Sequence, residues 1–179
     1  MKLGGSNMYI YLTSGTPDYM EKLLKKYENE NIYILYGTDS TLLLHETEKK
    51  TKFATPRKFE VIDSVNQIEQ RGFFVFNNIP VSDEGRPIFE QRFLNRSREI
   101  EKMPGFLAFR LLRPIKSEIY IVLTQWENKQ SFDAWKQSSA FANAHAGGGS
   151  QVQPGVKKQN IFNAASYVST YSGKMPEKK

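Results

Sequence analysis

Cysteine is absent from the 179 residues, which excludes disulfides, thiolate metal sites and cysteine nucleophiles together. Histidine is nearly absent: His45 and His145 are the only two, so any imidazole chemistry must use one of them. No apolar run approaches the ~18 residues of a membrane-spanning helix, and the N-terminus has no hydrophobic signal core. A cytoplasmic protein with no membrane partner is the expectation. Nor is there a Walker loop, a GxGxxG turn, a serine nucleophile elbow or an HExxH helix. Gly147-Gly148-Gly149 follows a helical pattern with no strand before it, and reads as a flexible loop.

What remains is an ordinary globular composition, 39% hydrophobic and 25% charged, with length for one domain or two half-domains sharing a core. The net charge of +6 sits largely in Lys49-Lys50, Lys157-Lys158 and the Lys174–Lys179 tail, all loop-like. Without zinc-finger spacing, an RNP-type strand or a basic helix with interleaved aromatics, nucleic acid is not expected as a partner. An anionic small molecule fits the charge equally well.

Residues 1–7 (MKLGGSN) are Gly/Ser-rich and are expected to be disordered, as is the tail 174–179. Met8–Leu12 is aromatic and β-branched and predicts a strand. Thr16-Pro17-Asp18 supplies an N-cap, a first-turn proline and an acid, and Met20, Leu23, Leu24 and Tyr27 recur at helical spacing. Ile32–Tyr36 and Thr41–Glu46 predict a hairpin across Gly37-Thr38-Asp39. Arg57–Val65 is predicted as a short helix, because Phe59, Ile62 and Val65 stand three apart.

The second half repeats the order more fully. Phe73–Val81 is a strand apolar on both faces, and Phe89, Phe93 and Ile100 form one face of a helix entered at Pro87. Phe106–Arg113 and Glu118–Trp126 form a hairpin, Asn128–His145 is helical with a break near Ser138-Ser139, and Ala165–Ser172 is a closing strand. The pattern is β-α-β-β-α-β, an α+β, ferredoxin-like arrangement over residues 71–173, preceded by an abbreviated copy over residues 8–70. A sheet with apolar residues on both faces needs helices on one and a second sheet on the other, which predicts a barrel. A monomer mimicking a dimer, or a homodimer, satisfies that need.

Candidate chemistry concentrates in Ser131–His145 (SFDAWKQSSAFANAH). Phe132 and Trp135 share a helix face, as do Phe141 and His145. His145, at a helix end beside a glycine run, is either a solvated C-cap suited to the dipole or a ring presented to a pocket. Trp135 is either core or pocket wall. Asn77 shares a strand face with Phe73, Val75 and Ile79, where an unpaired amide costs ~1–3 kcal/mol, so it bonds either backbone or something in a cavity. Asn78 points the other way. Arg86, Arg92, Arg96 and Arg98 fit a solvated helix face better than an anion site.

The stretch from Phe73 to His145, with FNNIPV, EGRPIFEQRF, PGFLAFRLLRP and LTQWENKQSFDAWKQSSAFANAH, resembles the haem-degrading, IsdG-type branch of the antibiotic-biosynthesis-monooxygenase family. FEVIDSV upstream and SYVSTY near the end extend the likeness from Met8 to Ser172. The family pattern of an Asn on the first strand, a Trp on the last helix and a His ten residues later falls on Asn77, Trp135 and His145.

The resemblance implies that His145 ligates the ferric iron of haem through a neutral imidazole nitrogen. Asn77 would donate a hydrogen bond on the opposite, distal side, and Trp135 would distort the porphyrin. Haem would serve as cofactor and substrate, consumed with dioxygen and an external electron donor, either a reductase or a small reductant. The resemblance also implies a barrel of two ferredoxin-like units. The long N-terminal half would complete it within one chain and leave one catalytic set, with His45 structural. Two alternatives stay open: a cofactor-free monooxygenase of this fold acting on a quinol or polyketide, and a non-enzymatic haem-binding or signalling protein like the long relative TRAP.

Overall fold

The computed structural model describes residues 7–139, 141 and 161–176. Its first half runs β1 (Tyr9–Gly15), α1 (Pro17–Lys26), β2 (Ile32–Tyr36), β3 (Thr41–Thr47) and β4 (Arg57–Val65). Its second runs β5 (Phe73–Pro80), α2 (Arg86–Leu94), β6 (Phe106–Ile115), β7 (Ile119–Trp126), α3 (Lys129–Lys136) and β8 (Tyr167–Ser172). The signals that predicted α1 act as expected. Thr16 Oγ1 accepts from Tyr19 N at 3.3 Å, Pro17 opens the first turn, and Met20 is buried.

The strands close into one barrel in the order β1-β3-β2-β8-β5-β7-β6-β4. Each half keeps the ferredoxin-like order, fourth strand, first, third, second, so the halves are related as the two subunits of a dimer would be. One seam is long: β4 and β6 pair from Lys58↔Ile115 to Val65↔Phe109. The other is a single pair, Tyr36↔Ser172, between β2 and β8.

Alternation sorts the side chains. Ile10, Leu12, Leu35, Leu44, Phe59, Phe74, Phe76, Leu112, Ile121 and Leu123 point inward and fill the barrel. The outward face of the second half carries two apolar clusters, one under α2 and one under α3. The outward face of the first half is covered by α1 through Met20, Leu23 and Leu24.

Arg57–Val65 is a strand, not the predicted helix. A β-bulge between Val61 and Asp63 shifts the register against β6. Phe59 and Val61 face the barrel core, whereas Ile62 and Val65 pack on the outward α2 cluster. One extra residue thus turned a two-residue period into an apparent three-residue one. The abbreviated half has no helix between β3 and β4. The loop there folds Phe53, 7% exposed, onto Tyr11 and Leu43 instead. The predicted α2 also stops early, at Leu94. Ile100 falls in a separate 3-10 turn, Glu99–Lys102, and joins the α3 cluster.

Candidate site on the outward face of the second sheet

β5 pairs with β7 from Phe73 to Pro80 and with β8 from Phe73 to Asn78, and its sequence is apolar on both faces because one faces the barrel core and the other the helices. Its two asparagines have opposite fates. Asn78 points into the barrel, where its Nδ2 donates to Ser169 Oγ at 3.0 Å, Tyr167 O at 3.1 Å and Phe76 O at 3.2 Å. Asn77 points outward between Val75 and Ile79 and is half-buried. Its amide meets no hydrogen-bond partner among the described residues.

Asn77 stands where the two outward clusters part. On one side Ile79, Val122, Phe109 and Leu111 pack beneath Phe89 and Phe93 of α2, with Ile161 closing the end. On the other, Val75 and Trp126 pack beneath Phe132 and Trp135 of α3, joined by Phe141. Asn128 caps α3, its Oδ1 accepting from Ser131 N at 2.9 Å. Gly105, at φ +83°, leaves room for that turn, since a Cβ there would stand 2.1 Å from Ser131 Oγ.

A polar lattice bolts α2 to the sheet. Glu90 receives Arg113 Nη2 at 2.6 Å and Nε at 2.9 Å, together with a very short bond from Tyr120 Oη. Arg113 Nη1 also reaches Glu60 Oε1 at 3.0 Å. Arg86 joins through Tyr120 Oη at 3.2 Å and Pro114 O at 2.8 Å. Burial works to raise the Glu90 carboxyl, but the bonds from Arg113 and Tyr120 outweigh it and hold it below the usual range. Burial and the bond to Glu90 push the Tyr120 phenol up to about 12, so it stays a neutral donor.

Of the sequence-predicted residues, Asn77 and Trp135 lie on the same side of the sheet, on either side of Val75. Trp135 is 6% exposed, and its ring meets Phe141 edge-on at 5.5 Å, so little of its surface is free in this state. His145 lies outside the described residues. The expectation of a solvated arginine face fails for two of its members. Arg86 is bound as above, and Arg96 donates to Asp63 Oδ2 at 2.7 Å while stacking on Phe109 at 4.0 Å. Arg98 is half-exposed and pairs with Glu101 at 3.0 Å.

The other histidine is structural in position. His45 is 1% exposed, its Nδ1 is 3.0 Å from Thr51 Oγ1, and its ring packs against Phe53 and Tyr11. A cavity of about 400 Å³ opens at one end of the barrel beside Glu46, Arg110, Asp63 and Ser64, away from Asn77. Glu46 and Arg110, both buried and paired there with each other, were not among the residues singled out in the sequence. The signal for them is a charge on the otherwise apolar inward face of each strand, after Leu42 and Leu44 in β3 and between Ala108 and Leu112 in β6.

An eight-stranded closed barrel of two ferredoxin-like halves, with helices on its outward faces, defines the class of α+β barrel to which the fold belongs. Residues 72–147 match the family model described as "Antibiotic biosynthesis monooxygenase". Over 72 residues the chain is 47% identical to "Heme oxygenase (mycobilin-producing)" of Mycobacterium tuberculosis, covering 40% of this chain and 68% of that one. The chain belongs to the antibiotic biosynthesis monooxygenase family. Longer likenesses are to "Signal transduction protein TRAP" of Staphylococcus epidermidis, 25% identical over 134 residues (75% of this chain, 80% of that one), and to "Heme-degrading monooxygenase" of Listeria monocytogenes, 26% over 129 residues (72% and 77%). The solved structure described as a major regulator of staphylococcal pathogenesis superposes with a TM-score of 0.82 at 18% identity, covering 93% of this chain and 99% of that one, a likeness of fold. No helix among the described residues is long and apolar enough to cross a membrane.

Proposed function

We propose that the chain is a haem-degrading monooxygenase, a long, HmoB-like member of its family, acting on haem held against the outward face of β5. The observation that carries this reading is the Asn77 amide, half-buried on the outward face between the buried Val75 and Ile79 and without a hydrogen-bond partner among the described residues. A flat, largely apolar ligand with a polar centre satisfies both its floor and its donor. The family model spans residues 72–147, the segment that contains Asn77, Trp135 and His145.

In this reading His145 would hold the haem iron through one neutral imidazole nitrogen. Haem, once bound, supplies both the oxygen-activating iron and the ring that is opened. Asn77 Nδ2–H would face the bound haem and donate a hydrogen bond to it. Trp135 would press on the macrocycle from the edge of its cluster, and the apolar side chains beneath α2 and α3 would line the haem. Dioxygen and an external reductant complete the reaction, which releases iron.

The test is a haemin titration followed in the Soret region, on wild type and on His145→Ala, then addition of ascorbate in air. Saturable one-to-one binding lost in the variant, with bleaching and release of chelatable iron by the wild type, is the expected result. Equal binding by both proteins removes His145 as the ligand. The similarity to "Signal transduction protein TRAP" over 75% of the chain favours a second reading, a non-enzymatic haem-binding or signalling protein. There the bound haem survives ascorbate and air. No binding at all turns the reading to a cofactor-free monooxygenase.

A further inference from the structure

Four outward-facing residues surround Asn77, and they are not alike. Along β5 its neighbours are Val75, 4% exposed, and Ile79, 8% exposed. Across the ladder on β7 its partner is Val122, 9% exposed. Across the other ladder, on β8, its partner is Val168, which is 59% exposed. Helices α2 and α3 cover the first three neighbours; neither covers the fourth. The next outward residue of β8, Thr170, is exposed as well. Strand β2 joins β8 only at Tyr36↔Ser172, so among the described residues no strand stands beside Val168 on its far side.

A single exposed valine on a strand is ordinary and asks for no explanation. What singles this one out is its register opposite an amide that lacks a partner. A rigid planar ligand lying over Asn77, with α2 and α3 bounding the sheet at either end, must extend sideways over β8.

We propose that Val168 is the lateral contact of the bound macrocycle, a positioning residue whose branched side chain sets how far the ring slides across the sheet. It thereby sets which edge of the ring is presented for attack. This rests on the haem reading above. The ligand chemistry is the apolar, methyl- and vinyl-bearing rim of a porphyrin, since a β-branched side chain offers dispersion contact and no hydrogen bond.

The experiment compares wild type, Val168→Asp and Val168→Phe in the full chain. Haemin binding is read from quenching of tryptophan fluorescence and from the Soret band, and the ring-opened isomers formed with ascorbate in air are then separated. Because the side chain stands in solvent, the melting temperatures of both variants should match wild type. Val168→Asp, which places a charge against the apolar rim, should weaken haemin binding by about tenfold. Val168→Phe should leave affinity within about threefold and change the ratio of isomers. Wild-type affinity and wild-type isomer ratio in both variants overturn the proposal and leave the haem reading standing. Failure of wild type to bind haemin overturns the haem reading, and this inference with it.

Discussion

Glu46 and Arg110, one from each half of the chain and 64 residues apart, meet inside the barrel as a two-pronged ion pair, Arg110 Nε 2.7 Å from Glu46 Oε2 and Nη2 3.3 Å from Oε1. They are not on neighbouring strands: β1 and β4 lie between them in the barrel order. The spare donor capacity of Arg110 goes to the carbonyls of Phe109 and Asn66, each at 2.8 Å. Glu46→Ala should therefore cost about 3–5 kcal/mol in chemical denaturation, because it leaves a buried guanidinium uncompensated. The double variant Glu46→Leu/Arg110→Met should recover most of that loss. A single variant as stable as wild type would mean that water enters the cavity beside the pair and solvates the orphan charge.

Asn77 is expected to behave in the opposite way. Since its side chain bonds nothing among the described residues, Asn77→Val should change folding stability by no more than about 0.5 kcal/mol. Haemin turnover should fall sharply and the Soret band of the ferric complex should move. A melting temperature lowered by more than about 5 °C would show the amide to be a structural group and withdraw it from the site.

Trp135 carries two roles that substitution separates. Its buried ring should make Trp135→Ala cost about 3–5 kcal/mol. Trp135→Phe, which keeps the cluster with Phe132 and Phe141, should cost under about 1.5 kcal/mol. If the indole also bends the porphyrin, Trp135→Phe binds haemin normally and degrades it more slowly. Unchanged single-turnover rates would leave Trp135 as core alone.

His45 predicts a pH dependence of stability. Burial holds its ring below the ordinary imidazole value, against the pull of Glu30, whose Oε2 lies 3.6 Å from Nε2. The folded chain therefore takes up this proton less readily than the unfolded one. Stability is complete above the unfolded value of about 6.5 and is lost as pH falls from there through the folded value. Thermal melts at pH 7.5 and 5.5 should show a loss in wild type that is smaller in His45→Gln. The carboxylates contribute equally to both proteins, so identical losses would rule out His45 as the source.

Much of this architecture is visible in the residues because most strands keep a strict two-residue alternation. Phe74, Phe76 and Asn78 on one side of β5, with Val75, Asn77 and Ile79 on the other, follow from that period alone, and so does the separation of the two asparagines. The alternation fails where the backbone carries one residue too many, and β4 was misread there for that reason. Partners distant along the chain carry no local signal. Nothing in EGRPIFEQRF announces that Glu90 will hold Arg113 and Tyr120, or that Arg86 is already committed to Tyr120. Val168 was equally silent, since its significance comes from the residue that register sets beside it and not from its own neighbours.

Closure of all eight strands within one chain changes what dilution can do. A barrel assembled from two chains exists only while its subunits are associated, so its pocket, its stability and its affinity all depend on protein concentration. Here the second sheet is covalently attached to the first, and forming the barrel is a unimolecular event. The sheet that carries Asn77 keeps its backing at the lowest abundance a cell maintains. The first half need not mirror the second, and carries a loop with Phe53 where the second half carries α3.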